Sequence, residues 1–157
     1  MSIKLGMNCK AYISATNLAS ADAAGVSAIG AATNGSWSLL DNITNVTLNL
    51  EKGEADVTVR GNNGWRGTVG TLKDGSVEFE MNWDTEDSGF DIVQTAYFSD
   101  ALIAGLFLDG AMDTTGSQGL AANFSITNMS RSEELEGAVK ATVTLKPASK
   151  TFWFEKA

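Results

Sequence analysis

Residues 46–83, VTLNLEKGEADVTVRGNNGWRGTVGTLKDGSVEFEMNW, decide the fold of this chain. Apolar and polar side chains alternate along the stretch, and sequences rich in Gly, Asn and Asp interrupt the alternation. Because successive side chains of a strand point to opposite faces, one face can be buried while the other stays polar. The pattern predicts an antiparallel meander whose turns fall at 52–53, 61–64 and 74–75. Its four predicted strands are 43–50, 55–60, 65–72 and 77–83.

Length and glycine content indicate the architecture around this meander. The chain has 157 residues, which is enough for one domain (1–157) with its own core. It contains 16 glycines and one proline, and short alternating runs joined by glycine turns favour an all-β fold. We therefore expect a mainly β, antiparallel protein whose strands are joined by tight turns.

The composition also excludes several kinds of chemistry. Histidine is absent, which removes Ser-His-Asp and Cys-His catalysis and His-ligated zinc. Cys9 is the only cysteine, so the chain can form no internal disulfide, and we expect Cys9 to be a small buried residue. The net charge of −8 disfavours tight binding of nucleic acid, because phosphate binding depends on Lys and Arg.

Further elements are predicted on either side of the meander. Phe90, Val93 and Tyr97 recur at helical spacing, which predicts a helix over 89–99, and the acidic residues before it suit a helix start. This helix would pack over an open side of the sheet. Alternation or apolar runs predict the remaining strands at 3–13, 102–108, 119–129, 137–145 and 151–154.

Residues 14–36 are a long stretch of small residues with little large apolar content. We expect a loop or arm inserted in the domain, with a short helical piece at most. Ordered loops of this length are uncommon and often functional, although an insertion without a role fits equally well. The residues that could make it an assembly arm are Asn17, Leu18, Val26 and Ile29.

No set of side chains forms a complete catalytic, cofactor or metal site. The glycine-rich 61–67 lacks the Lys and the following helix of a phosphate loop, so a turn fits better. Asp84, Glu86 and Asp87 could suggest calcium or a glycosidase pair, but helix capping explains them better. The four tryptophans could form a sugar-stacking platform, although core and interface roles are commoner. We expect no enzyme, no cofactor and no metal.

Segments of the meander and of the later strands together resemble the tail tube protein of long-tailed bacteriophages. The resemblance rests on GEADVT, GWR, TLKDGSVEFEM and SEELEGAV, and it covers about 46–147 together with the first strand. It implies an antiparallel β-sandwich or half-barrel with one flanking helix. It also implies subunits that form stacked hexameric rings, in which neighbouring sheets join into one barrel around a lumen.

The resemblance further implies a place and a set of partners. The protein would be made in the host bacterial cytoplasm and would become part of the virion tail. Its partners would be copies of itself and other tail proteins, namely the tape measure, tip and terminator proteins. DNA would pass through the tube without specific binding, and no membrane would be involved. The polar residues that we expect to face the lumen are Asp56, Thr58, Arg60, Glu78, Glu80 and Asn82.

Two other classes of function remain open on the sequence alone. A stand-alone β-sandwich that binds a carbohydrate or a protein would expose an aromatic platform and would not self-assemble. A glycoside hydrolase would bring two carboxylates together in a cleft.

Overall fold

The computed structural model describes residues 3–20, 22, 24–26 and 37–157 of the chain. This part of the chain is mainly β, as predicted, and the helix Ser88–Ser99 flanks the sheet. Short 3-10 turns occupy Gly6–Asn8 and Arg60–Asn62. The main elements are β1 (Lys10–Ser14), β2 (Ser38–Leu39), β3 (Ile43–Asp56), β4 (Thr68–Asn82), α1 (Ser88–Ser99), β5 (Ile103–Leu108), β6 (Gln118–Ser132), β7 (Lys140–Pro147) and β8 (Phe152–Glu155).

The strands form one antiparallel sheet in the order β2-β1-β5-β6-β7-β4-β3, and β8 also pairs with β6. The long strand β6 links two halves of this sheet. Its residues 119–124 pair with β5, whereas its residues 124–132 pair with β7. Side chains of β1 and β5 nevertheless share one core with those of β4 and β7. The sheet therefore curls around β6 and closes into a sandwich-like half-barrel.

Two apolar clusters hold the fold together. The larger fills the inside of the curl and includes Phe79, Phe124 and the α1 residues Phe90 and Val93. The smaller lies on the other face of β1, β5 and β6, around the buried Trp37. As a result, every residue of β5 is buried, since clusters cover both of its faces.

The helix α1 begins where the acidic residues predicted it would. The Asp87 carboxylate accepts a hydrogen bond from the Phe90 backbone N–H at 3.1 Å, which caps the helix. Trp83 stands at 65° to the Phe90 ring, with the ring centroids 4.7 Å apart. The Arg131 guanidinium lies 5.0 Å from the Trp83 ring centroid. The helix start is thus fixed to the end of β4 and to β6.

The prediction of a four-strand meander is wrong. Residues 46–83 belong to two long strands, β3 and β4, which are joined by one loop. Both outer turn sequences lie within the strands, where Leu50 pairs with Gly75 and Lys52 with Lys73. The ladder shifts register at Gly53, where a Cβ would lie 2.5 Å from the Thr71 hydroxyl. Glycine therefore permits a β-bulge here and not a chain reversal.

Two expectations near the N-terminus are also wrong. The first strand begins at Lys10, because a 3-10 turn at Gly6–Asn8 precedes it, and not at residue 3. Cys9 is exposed, since it lies between this turn and the strand.

The described part of residues 14–36 packs against the chain's own sheet. Val26 is fully buried in the smaller cluster and Leu18 packs against it. The Leu18 backbone N–H donates to the Asn123 side-chain oxygen at 2.8 Å. Asn17 is exposed, and Ile29 lies outside the described residues. Leu18 and Val26 therefore contribute to the core of one subunit.

Candidate assembly surfaces

The β3–β4 hairpin extends beyond the rest of the sheet. β7 pairs with β4 only from Val77 to Asn82, so residues 68–76 pair with β3 alone. We call residues 49–76 the ribbon and its loop 57–67 the tip. A two-stranded ribbon without a packed face is marginal in water. Yet this one exposes several large apolar side chains to solvent: Leu50, Val57, Val59, Trp65, Val69 and Leu72.

The two faces of the ribbon differ in charge. Lys52 lies opposite Lys73 on the face that continues the core side of the sheet. On the other face Glu51 lies opposite Asp74. Like charges directly opposite each other disfavour strand pairing, so both pairs weaken the ribbon while it stands alone.

The tip is an ordered loop. Asn63 adopts a left-handed conformation with φ 51°, and Gly64 follows with φ 86°. The Thr58 hydroxyl accepts from the Gly67 backbone N–H at 3.0 Å, and the Thr58 backbone N–H donates to the Asp56 carboxylate at 2.9 Å. Hydrogen bonds from the side chain and then the backbone of Thr58 hold the pKa of Asp56 below its usual value.

A polar face covers the outside of the half-sheet formed by β3, β4, β7 and the second half of β6. Where β7 lies beside β4, register places only Asn, Thr, Ser, Glu and Lys side chains on it, and the Glu51–Asp74 pair continues this face onto the ribbon. On this face the Lys140 ammonium lies 3.3 Å from the Glu80 carboxylate and forms an ion pair with it. This polar face comprises Asn45, Thr47, Asn49, Ser76, Glu78, Glu80, Asn82, Ser125, Asn128, Ser130, Ser132, Lys140, Thr142, Thr144 and Lys146.

The predicted lumen residues fall into two separate groups. Glu78, Glu80 and Asn82 lie together on the polar face of β4. At the far end of the ribbon, Asp56 belongs to the last strand pair, and Thr58 and Arg60 lie beyond it in the tip. Thr68, the partner of Asp56, precedes Glu78 by ten residues of one strand, which corresponds to about 33 Å. Thr58 and Arg60 are also not strand residues, because β3 ends at Asp56.

Two strand edges of the polar half-sheet have no partner in the described part of the chain. One is the outer edge of β3, which is the last strand in the sheet order. The other is residues 125–132 of β6 on the side away from β7, because β5 pairs no further than Phe124. Unpaired edges are sites where another strand can add.

An open groove of about 730 Å³ runs between β3 and the N-terminal segment. Apolar side chains line much of it, among them Ile43, Leu48 and Phe107. Leu50, exposed at the base of the ribbon, is next after Leu48 on the same face of β3. An apolar surface therefore continues from the groove onto the ribbon.

The other candidate sites have local structural roles. The Asp84 carboxylate accepts from the Glu86 backbone N–H, and the Asp87 carboxylate caps α1. The described residues contain no group of three His, Cys, Asp or Glu placed to hold a metal ion. In those same ranges no helix has both the length and the apolarity needed to cross a membrane.

The tryptophans do not share a platform. Trp37 is buried, and Trp83 is partly buried against Phe90. Trp65 is exposed on the tip, whereas Trp153 is exposed on β8 and donates to the Gln118 side chain at 2.9 Å.

The fold of this chain is similar to that of several solved tail structures. The tail of an empty GTA particle with C6 symmetry matches with a TM-score of 0.69 and 11% identity, over 97% of this chain and 99% of that one. The SPP1 tail tube matches with a TM-score of 0.69 and 17% identity, over 98% and 80%. The baseplate of the anti-feeding prophage matches with a TM-score of 0.59 and 7% identity, over 99% and 97%.

The family model for phage tail tube proteins matches residues 24–151. The chain therefore belongs to the phage tail tube protein family, as the resemblance implied, and it is a structural subunit of the virion tail. No curated protein matches the chain in sequence.

Proposed function

We propose that this chain assembles with copies of itself into hexameric rings that stack into a hollow tube through which DNA leaves the particle. The projecting ribbon is the observation that carries the proposal. Its exposed apolar side chains need a covering surface, and among the described residues the chain itself supplies none. The C6 symmetry of the GTA tail supports six subunits in a ring.

The two unpaired edges supply a route to ring closure. In the polar half-sheet β6, β7, β4 and β3 alternate in direction. A neighbour related by rotation about an axis along the strands keeps the direction of its own strands. The outer edge of β3 therefore meets the neighbour's β6 as an antiparallel pair, and the sheets join into one barrel.

The polar face is then the wall of the lumen, with Glu78, Glu80 and Asn82 among its residues. It carries no apolar side chain, its two carboxylates and two ammonium groups balance, and Glu51 and Asp74 add negative charge where the face continues onto the ribbon. Such a wall offers DNA no excess of cations to bind, so DNA passes without specific contacts. Asp56, Thr58 and Arg60 would line the lumen only where the ribbon overlaps a neighbouring ring.

The tube acts as a passive conduit without catalysis. Its other partners would be the tape measure, tip and terminator proteins that set the length and ends of a tail. Residues 14–36 contribute an assembly arm only through side chains other than the buried Val26 and the half-buried Leu18.

Two measurements on the purified chain test self-assembly. Native mass spectrometry should detect hexamers, and negative-stain electron microscopy should show rings or tubes. A chain that stays monomeric at every concentration would contradict the proposal and favour a stand-alone binding module.

Cysteine labelling tests which face lines the lumen. In a Cys9→Ser background, Glu78→Cys should react with a bulky polyethylene-glycol maleimide in the monomer and be protected in the tube. Thr95→Cys, on the exposed side of α1, is the matched control and should react in both states. Protection of residue 95 with labelling of residue 78 would place the polar face outside.

A further inference from the structure

Charge is distributed unevenly along the strands of this subunit. The ribbon contains four basic and four acidic residues, so the excess of eight acidic residues lies in the rest of the chain. Within the ribbon, the tip carries Arg60 and Arg66 and no acidic residue. The tip is thus a local basic site on an acidic protein.

The tip also presents apolar side chains. Trp65 is 79% exposed and Val59 is 62% exposed. Hydrogen bonds within the loop hold this surface in one conformation before any partner arrives. A preordered surface loses little conformational entropy on binding. Exposed Trp and Arg on an ordered loop are the residue types that dominate binding energy at protein interfaces.

The opposite end of the same sheet carries the complementary chemistry. The turn between β6 and β7, residues 133–139, contains Glu133, Glu134 and Glu136 around a fully exposed Leu135. Glu133 is paired with Arg131 at 2.8 Å. Within the described ranges no cation lies within salt-bridge distance of Glu134 or Glu136, and no carboxylate lies within that distance of Arg60 or Arg66.

The register fixes how far apart these two surfaces lie. Asn82 pairs with Lys140, and Lys140 pairs with Ser132, so the β6–β7 turn lies at the end of β4 away from the ribbon. Since β4 is 15 residues long, the tip and the turn are about 50 Å apart. No single copy can bring them together.

We infer that the tip of one copy docks on the β6–β7 turn of the next copy along the strand axis. Arg60 and Arg66 pair with Glu134 and Glu136, and Trp65 packs against Leu135. This contact is heterologous and keeps the polarity of the subunit, so it repeats without limit and produces a stack. The inference rests on the proposed tube and names the surfaces through which its rings stack.

Charge reversal tests the pairing from both sides. The tip variant is Arg60→Glu with Arg66→Glu, and the turn variant is Glu134→Lys with Glu136→Lys. Each alone places like charges together, so sedimented tube mass should fall at least about tenfold, with hexameric rings retained in native mass spectra. Lys150→Glu with Lys156→Glu changes the charge as much as the tip variant does, on exposed side chains elsewhere, and should leave tubes unchanged.

Mixing the two variants provides the decisive result. The reversed tip of one fits the reversed turn of the other, and the two unchanged surfaces fit as well. An equal mixture should therefore recover tubes in which the variants alternate, and one chain with all four changes should recover tubes by itself. Loss of tubes without recovery would contradict the pairing.

The outcomes separate this inference from the proposed tube. If the unmodified chain forms no rings and no tubes, the tube itself is refuted. If the unmodified chain and both reversed variants form tubes equally well, only the docking of tip on turn is refuted.

Discussion

The two halves of β4 are one continuous strand in two different environments. Residues 77–82 alternate between buried and polar positions because β7 lies beside them and the core lies beneath them. Residues 68–76 pair only with β3, and most of them are exposed. The first half stabilises the subunit, whereas in the proposed tube the second half contacts a neighbouring subunit. Burial within one chain is therefore a poor guide to the function of a subunit that assembles.

The largest expected difference between the halves comes from matched truncations. Phe79 is 1% exposed, so Phe79→Ala should lower the free energy of unfolding by about 3–5 kcal/mol. Val69 is 54% exposed, so Val69→Ala should change it by less than about 0.5 kcal/mol. Urea unfolding of the unassembled subunit measures both. The Val69 variant should still reduce tube yield. Equal destabilisation by both variants would show that the two halves of β4 contribute equally to the stability of the subunit.

Removal of the helix cap should lower the stability only of α1 and of the half of β4 that packs near it. Asp87→Ala leaves the Phe90 backbone N–H without its acceptor and should cost about 1 kcal/mol of stability. Amide hydrogen exchange should rise in α1 and at the end of β4 while the ribbon amides keep their rates. Asp87→Asn, which retains a capping oxygen, is the control. Faster exchange in the ribbon would show that the two halves unfold together.

A charge substitution in the ribbon should change the stability only of the ribbon half of β4. Lys73→Glu replaces the Lys52–Lys73 pair by an opposite-charge pair, which should stabilise the ribbon by about 0.2–1 kcal/mol. Slower amide exchange at residues 49–76 of the unassembled subunit would report it. High salt should reduce the difference from the unmodified chain, since salt screens exposed charges. A difference independent of salt would point to packing and not to charge.

The smallest expected effect is that of low pH on Asp56, which adjoins the tip. The pKa of Asp56 is lowered by the Thr58 side chain and backbone, so its carboxylate stabilises the folded tip above the unfolded pKa. That contribution is lost as pH falls through the lowered, folded-state pKa. The Thr58 amide proton shift should therefore follow this titration, with a midpoint below that of an unfolded Asp. Asp56→Asn should abolish this titration, and a midpoint at the unfolded value would contradict the hydrogen bonds.

Much of the fold could be predicted because its signals are local. The spacing of Phe90 and Val93 predicted α1, and the run at 102–108 predicted the fully buried β5. The outer turns of the meander could not be predicted correctly. Asp74–Gly75 has the residues of a hairpin turn, yet it lies inside β4 opposite Leu50 and Glu51. A single reversal at the tip lets Val46 and Leu48 pair with Phe79 and Val77, and that gain depends on distant strands.

The candidate surfaces were only partly predictable for the same reason. Alternation alone placed Glu78, Glu80 and Asn82 on one face of a strand. It could not place the β7 residues Lys140 and Lys146 beside them, and so it missed the balance of charge on that face. Residues 14–36 looked like an arm because they hold few large apolar residues. The burial of Val26 could not be predicted, because it depends on a surface that β1 and β5 form together in the folded chain.

The sequence by itself determined the class of fold, the position of the helix and the absence of histidine and disulfide chemistry, since each follows from residue type or short-range spacing. The tertiary structure alone decided that residues 46–83 form one long hairpin whose end leaves the sheet. It also decided that the basic tip and the acidic turn lie at opposite ends of the subunit. Those outcomes depend on contacts between residues far apart in the chain, and no local pattern records them.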